Sequence, residues 1–215
     1  MREMNDSNQS NRSGKIVQVG QVSEIDTALP VAVLERFAQR DIPGLLLQAV
    51  IIPGDVTQEG RLIEAVAFPW FKIIAMMQQD PNVIYQLDWR QWEEIIAGAY
   101  KQLGYDVILT PRSKDKGRDV IATQPGIGCI RLFDQVKAYS PNRLVPANDV
   151  RALIGVLTVE PNVSKAILTT TSDFAPGILQ DENIKRLMPY RLELKPKHVL
   201  LDWLTSLALR KTPIR

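Results

Sequence analysis

The segment DVIATQPGIGCIRLFDQVKA, residues 119–138, decides the fold of this chain. It contains two mainly apolar runs, residues 119–123 and 129–138, on either side of Pro125 and Gly126. Proline and glycine favour tight turns, and short apolar runs that flank such a turn are typical of paired strands. The segment therefore predicts a β-hairpin.

Polar residues in the same segment form an unusual pattern. Asp119 stands at the edge of the first predicted strand, and Gln135, Val136 and Lys137 follow on the second. Because side chains alternate along a strand, Gln135 and Lys137 share one face and Val136 points to the other. One face could then hold a divalent cation beside an activated water, as in a metal-dependent phosphodiesterase.

The hairpin is predicted to lie among further strands and helices. Asp88 is the predicted N-cap of a helix over residues 89–103, whose apolar positions repeat at three and four and which ends at Gly104. The other predicted elements are strands at 106–110, 165–170 and 190–194 and helices at 148–159, from Ser172 or Asp173 to 187, and at 197–209. This alternation predicts an α/β fold with a central mixed β-sheet flanked by helices.

The N-terminal third gives a weaker signal. Residues 1–15 are rich in Asn, Ser and charge and predict a disordered tail. Residues 16–86 are expected to form a small, mainly helical extension of unknown role, in which Pro53 and Gly54 form a turn and residues 65–79 form an apolar helix. Residues 87–209 then form the main domain.

Composition excludes several other kinds of site. The net charge is only +2, so affinity for nucleic acid has to come from local clusters. One cysteine, Cys129, and one histidine, His198, cannot supply a structural zinc site. No GxxxxGK[ST] motif is present, so no nucleotide cofactor is expected in this chain. A polar N-terminus and short apolar runs predict a cytoplasmic protein with no membrane segment.

The polar pattern fits Mg²⁺ chemistry, in which the metal neutralises charge and makes a nucleophile from water. Mg²⁺ prefers oxygen ligands and keeps several waters, so a few protein ligands suffice, and Mn²⁺ could substitute. Asp119 offers a carboxylate, Gln135 an amide oxygen and Val136 a backbone carbonyl. Lys137 could orient the attacking water, and Glu93 on the upstream helix could hold a water of the metal or pair with Lys137.

Ordinary structural roles account for the same residues one at a time. Aspartate and lysine at strand ends are common on solvated faces, and Glu93 beside Glu94 fits the exposed side of a helix. Gln135 could satisfy a neighbouring backbone group. The spacing by itself leaves both interpretations open.

A basic loop precedes Asp119. Four alternating cations could reach the phosphates of DNA: Arg112, Lys114, Lys116 and Arg118. Gly117 fits a tight turn within this loop. Arg143 and Arg151 are further candidates for DNA binding, whereas loop charges that serve only solubility are the alternative.

From residue 87 to about residue 207, the chain resembles the Mrr-type catalytic domain of restriction endonucleases, within the PD-(D/E)xK nuclease superfamily. The resemblance is carried by an ordered series of residues rather than by one motif. The series is Trp92-Glu93-Glu94, Gly104-Tyr105, Val107, Thr110, Ser113, Asp115, Gly117, Asp119, Gln135-Val136-Lys137, Val150-Arg151, Gly155, Thr169-Thr170-Thr171 and Phe174.

The resemblance implies Mg²⁺-dependent cleavage of DNA, with Asp119, Gln135 and Lys137 as the core triad and Glu93 as the helix carboxylate. Two residues depart from the wider superfamily: Arg118 stands where a proline precedes the aspartate, and Gln135 replaces a second acid. Both are typical of the Mrr branch. An amide gives the metal less charge than a carboxylate, so weaker metal binding is expected.

Three functions are consistent with these features. The first is an endonuclease acting on double-stranded DNA in restriction or defence against foreign DNA, which would require a homodimer or two encounters to cut both strands. The second is a DNA repair or structure-specific nuclease. The third is a DNA-binding module with the nuclease fold and little activity.

Overall fold

Seven strands form one mixed sheet in the part of the chain that the computed structural model describes, residues 44, 46, 48–111, 117–126 and 128–209. The predicted tail and residues 16–43 lie outside the described residues. The strands are β1 Ile51–Val56, β2 Arg61–Val66, β3 Asp106–Leu109, β4 Val120–Gln124, β5 Ile130–Lys137, β6 Lys165–Thr170 and β7 Leu192–Lys195. Strands β1 to β5 pair antiparallel in chain order. Strand β6 then pairs parallel with β5, and β7 pairs parallel with β6.

Helices cover both faces of this sheet. They are α1 Phe68–Gln79, α2 Trp89–Gln102, α3 Ala147–Val159, α4 Glu182–Lys185 and α5 Lys197–Ala208, with 3-10 turns at Pro81–Tyr85 and Ile178–Gln180. The expected α/β fold is therefore confirmed. Asp88 caps α2 as predicted: its side chain accepts from the backbone N–H of Gln91, whose own side chain accepts from the N–H of Asp88.

Two cores lie on opposite sides of the sheet, and β5 contributes to both by alternation. Leu132 belongs to the core under α1, α2 and α5, whereas Phe133 belongs to the core under α3. Side chains at odd positions of β5 therefore face α3. This parity places Gln135 and Lys137 on the α3 face.

The extension packs tightly onto the main domain. The indole N–H of Trp70 on α1 donates to the Ile95 carbonyl of α2 at 2.9 Å. A Cβ at Gly98 would lie 2.8 Å from the Trp70 ring, so glycine at this position permits the close approach of the two helices. The extension and the main domain therefore share one core.

The structure corrects two sequence predictions. Pro53 and Gly54 lie within β1, where the register shifts, rather than in a turn, so the extension contributes β1 and β2 to the sheet as well as α1 and the 3-10 turn at Pro81–Tyr85. No single helix runs to residue 187. Pro176 and Gly177, which has φ +91°, interrupt that segment, and only a short 3-10 turn and α4 form.

Candidate active site

Asp119 immediately precedes β4 and is held by strands on both sides. Its Oδ2 accepts the backbone N–H of Val136 on β5 at 2.7 Å, and its own N–H donates to the Asp134 carbonyl at 3.0 Å. Its carbonyl accepts the N–H of Thr110, beyond β3, at 3.0 Å. The residue is only 8% exposed, so these bonds hold the carboxylate against β5.

Gln135 lies half-buried on the same sheet face and directs its amide toward the loop glycine. Its Nε2 is 3.8 Å from the position that a Cβ at Gly117 would occupy. Its Oε1 is buried and has no hydrogen-bond partner among the described residues. A buried oxygen without a hydrogen-bond partner lowers stability unless a ligand binds to it. Gln135 therefore does not have the alternative role of a hydrogen-bond partner for neighbouring backbone.

Lys137 ends β5, two residues beyond Gln135 and on the same face. Its carbonyl accepts from the Thr170 hydroxyl at 2.8 Å and from the Thr171 N–H at 3.2 Å, which ties the strand end to β6. Its half-buried ammonium forms no ion pair or hydrogen bond with the residues that the structure describes. It is therefore not engaged by Glu93.

Glu93 is 5% exposed and pairs instead with Arg90, one turn earlier on α2, at 2.7 Å. The same guanidinium donates to the Thr110 carbonyl at 3.0 Å, and Thr110 is bonded to Asp119. Glu93 thus reaches Asp119 through a chain of contacts. Sequence reasoning missed Arg90, although an arginine three residues before a glutamate on a helix is a usable signal.

Of the predicted DNA-binding residues, Arg112, Lys114 and Lys116 lie outside the described residues. Arg118 is described, and its guanidinium turns into the protein: it contacts Glu160 at 2.6 Å and Glu59 at 3.9 Å and lies 4.8 Å from the centre of the Phe133 ring. Only 8% of the residue is exposed.

The two remaining predicted contacts differ from each other. Arg143 is exposed and stacks on the ring of Tyr139 at 3.9 Å, and Tyr139 donates its hydroxyl to Asp149 at 3.0 Å. Arg151 is also exposed, but it is paired with Asp181 at 3.1 Å. Of these two arginines, Arg143 is therefore the one without a carboxylate ion pair among the described residues.

A buried acid next to Gln135 was not foreseen. Asp134 points to the other sheet face, where its Oδ2 accepts from the hydroxyls of Tyr100 at 2.8 Å and Thr169 at 3.0 Å. Burial raises the pKa of Asp134 to about 6, against the opposing influence of Lys195. The sequence signal for this buried acid is an aspartate within the mainly apolar run that begins at Ile130.

The donor set around Asp119 suits a hard cation that retains its own water. Within the described ranges, no group of three or more His, Cys, Asp or Glu side chains could hold a metal ion. Mg²⁺ does not need such a group, because it keeps several water ligands and one carboxylate with a few neutral oxygens can supply its protein ligands. Asp119 and the Gln135 Oε1 are oxygens of these two kinds.

Comparison with known families adds to this geometry. Residues 84–185 match the Mrr_cat family, described as restriction endonuclease. This part of the chain is an Mrr-type restriction endonuclease domain. The Mrr-type domain contains Glu93, Asp119, Gln135 and Lys137.

Individual relatives resemble only part of the chain. The uncharacterized protein y4cE of Sinorhizobium fredii is 29% identical over 96 residues, which are 44% of this chain and 25% of that protein. The chain thus spans about a quarter of the length of this curated relative.

Solved structures similar to this chain are restriction endonucleases. MspJI in complex with a 27-mer oligonucleotide is 17% identical, with a TM-score of 0.45 over 64% of this chain and 32% of that one. The modification-dependent enzyme AspBHI is 20% identical, with a TM-score of 0.40 over 69% and 38%. FokI is 15% identical, with a TM-score of 0.43 over 69% and 29%.

None of the helices in the described ranges has the length and apolar character needed to cross a bilayer.

Proposed function

We propose that this chain is a Mg²⁺-dependent endonuclease that hydrolyses phosphodiester bonds of double-stranded DNA in the restriction of foreign DNA. One observation supports this proposal most: the buried Oε1 of Gln135, unpartnered among the described residues, lies on the strand that also positions Asp119, inside a restriction endonuclease domain. A buried acceptor without a partner is expected where a cation completes the site.

Asp119, Gln135 and the Val136 carbonyl would hold the ion, and Mn²⁺ could replace Mg²⁺. A bound Mg²⁺ supplies charge neutralisation at the phosphoryl group and a lower pKa for water. Asp119 contributes the anionic oxygen, which the Val136 N–H keeps directed toward β5. Gln135 contributes a neutral oxygen, so this site is expected to bind metal less tightly than one with two carboxylates.

Lys137 is proposed to bind the scissile phosphate and to orient the water that attacks it. Its ammonium meets no acceptor among the described residues, and it shares the sheet face of Gln135. Positive charge held at this point stabilises the negative charge that develops on the phosphoryl oxygens.

Glu93 acts in this proposal as a positioning residue. Its carboxylate forms an ion pair with Arg90, and Arg90 donates to the carbonyl of Thr110. The backbone N–H of Thr110 in turn donates to the carbonyl of Asp119. The direct metal-water role that sequence suggested for Glu93 would have to accommodate the contact in which its Oε2 accepts from Arg90.

DNA is proposed to approach along the loop that carries Arg112, Lys114 and Lys116, with Arg143 contacting flanking phosphate. Backbone contacts of this kind fix position without reading sequence. Cutting both strands needs two sites, so we expect a homodimer on DNA. A restriction role would place the protein in the cytoplasm.

Incubation of supercoiled plasmid with the full chain and Mg²⁺ or Mn²⁺ tests the proposal. Nicked and linear products are expected with the wild type, and none with Asp119→Asn, with Lys137→Met or in the presence of chelator. Asp106→Asn and Lys101→Met make the same changes outside the site and should cleave normally.

Cleavage that survives chelation or Asp119→Asn would refute the metal site. DNA binding without cleavage by the wild type would favour a binding module over an enzyme. Preference for unmethylated or methylated plasmid would support restriction, whereas preference for flaps or mismatches would favour repair.

A further inference from the structure

A groove of about 630 Å³ opens on the sheet face opposite Gln135 and Lys137, between the sheet, α2 and α5. Its walls are mainly apolar and aromatic, with Tyr100, Tyr105 and Trp203 among the lining residues. These rings pack edge to face or tilted, with centroid distances of 5.8 Å from Tyr100 to Tyr105 and 5.2 Å from Tyr100 to Trp203. The volume is that of a small-molecule site.

One buried ammonium lines the groove without an acceptor. Lys195 is 5% exposed, and its Nζ lies 3.6 Å from the centre of the Trp203 ring. It forms no hydrogen bond or direct ion pair with any residue in the described part of the chain. An ammonium has three donors, so its burial without an acceptor is costly.

The other charges near the groove do not supply that acceptor. Glu193 is already paired with Lys165 at 2.6 Å. Asp134 attracts Lys195 electrostatically, and its Oδ2 accepts from Tyr100 and Thr169 while its Oδ1 is buried without a hydrogen-bond partner among the described residues, but neither oxygen forms a direct ion pair with Lys195. Lys165 and Glu193 both line the groove and neutralise each other, so the groove offers a mainly apolar space in which Lys195 is the cation without an ion pair among the described residues.

We propose that this groove binds a small organic anion with a planar apolar body, whose carboxylate accepts hydrogen bonds from Lys195 while its ring packs among Tyr100, Tyr105 and Trp203. Aromatic and aliphatic walls would bury the ring, and the anionic oxygens would meet the unsatisfied donors. This binding goes beyond the nuclease reaction and does not depend on it, because the groove and the candidate active site occupy opposite faces of the sheet.

The test uses 2-naphthoate and its neutral isostere 2-naphthamide with the full, ¹⁵N-labelled chain. The four tryptophans give separate indole signals, and the signal absent in Trp203→Phe identifies Trp203. Naphthoate should shift the Trp203 signal and leave those of Trp70 and Trp92 in place. It should bind at least about tenfold more tightly than naphthamide, because the amide cannot form the charge-assisted hydrogen bond.

Two variants make the assignment specific. Lys195→Met should remove the preference for naphthoate and keep weak binding of naphthamide, whereas Lys185→Met, the same change at an exposed position, should alter neither. If Lys195→Met does not fold, Val199→Trp at the partly exposed wall should block both ligands with Lys195 intact. Absence of binding, equal affinity for the two ligands or a preference that survives Lys195→Met would overturn the proposal.

Discussion

The backbone N–H of Val136 donates to Oδ2 of Asp119 at 2.7 Å, which joins the side chain that precedes β4 to β5. The strand that orients this carboxylate also carries Gln135 and Lys137. A register slip of one residue would turn both side chains to the other face of the sheet. Pairing of β4 with β5 therefore fixes the acid and its two neighbours together.

Gln135 is expected to cost stability in the absence of metal. Gln135→Met keeps the side-chain length and removes the buried oxygen that has no partner among the described residues. The free energy of unfolding in chelator should stay the same or rise by about 1 kcal/mol, while Mn²⁺ affinity should fall roughly tenfold or more. Urea unfolding and calorimetric titration measure the two quantities, and Gln135→Glu should raise Mn²⁺ affinity. A variant that unfolds more easily and binds Mn²⁺ normally would show that Gln135 is structural.

Gly117 has both a left-handed backbone and little room for a side chain, whereas Gly128 has only the left-handed backbone. Its φ is +77°, and an added Cβ would lie 3.2 Å from Cγ2 of Val156; Gly128 has φ +76° with no atom within 4 Å of such a Cβ. Gly128→Ala should cost about 1–2 kcal/mol of unfolding free energy for the left-handed backbone alone. Gly117→Ala should cost more, and adding Val156→Ala should recover the difference. Equal costs for both glycines in urea unfolding would remove the role of Val156.

Local sequence signals predicted the parts of this structure that depend on neighbouring residues. Asp88 caps α2 through Gln91, three residues away, and alternation alone placed Gln135 and Lys137 on one face. The inward turn of Arg118 could not be predicted in this way. Its partners are separated from it by 42 and 59 residues, and only the packing of α3 and the β1–β2 turn brings them together.

The same limit applies to the extension. Pro53 and Gly54 have the composition of a turn, but pairing with β2 keeps them in an irregular strand. Tertiary pairing overrides local preference in such a segment. Pairing of Glu93 with Lys137 was likewise one of the options that the sequence left open, whereas Arg90, only one turn away on the same helix, takes that place.

Arg118 is expected to stabilise the fold rather than to hold DNA. Arg118→Met removes the contacts with Glu160 and Glu59 and should lower the free energy of unfolding by about 1–3 kcal/mol, since two carboxylates that are about two-thirds buried would then be without this cation. Arg151→Met breaks an exposed pair and should cost much less stability than Arg118→Met. DNA affinity of folded Arg118→Met, measured by fluorescence anisotropy, should change by less than about twofold. A large loss of affinity with normal stability would restore Arg118 to the DNA interface.

Lys114 and Lys116 are proposed to contact the phosphates of DNA. Neutralising both to alanine should weaken binding to all sequences alike and reduce the slope of log affinity against log salt by about 2, one for each phosphate that the protein no longer neutralises. Anisotropy titrations at several salt concentrations with two unrelated duplexes measure both effects. Lys101→Ala with Lys185→Ala is the control of equal charge. An unchanged slope would mean that the loop does not lie on the path of the DNA.

Asp134 should make the stability of this protein depend on pH. Its pKa is raised to about 6 in the folded state by burial, so the folded protein holds a proton that the unfolded chain, with a pKa of 3.8, has released. The stabilising contribution of this group is therefore complete below pH 4 and is lost as the pH rises through 6. The loss is on the order of 3 kcal/mol, because one pKa unit corresponds to about 1.4 kcal/mol.

Asp134→Asn cannot release this proton, and its amide oxygen can still accept from the Tyr100 hydroxyl. Its free energy of unfolding, measured in urea between about pH 4 and pH 7, should lack the decline that the wild type shows over this interval. Asp106→Asn, at the exposed start of β3, should keep the wild-type decline. Parallel pH profiles for the wild type and Asp134→Asn would mean that the carboxylate is already ionised at the acidic end of this range, with Lys195 compensating its burial in full.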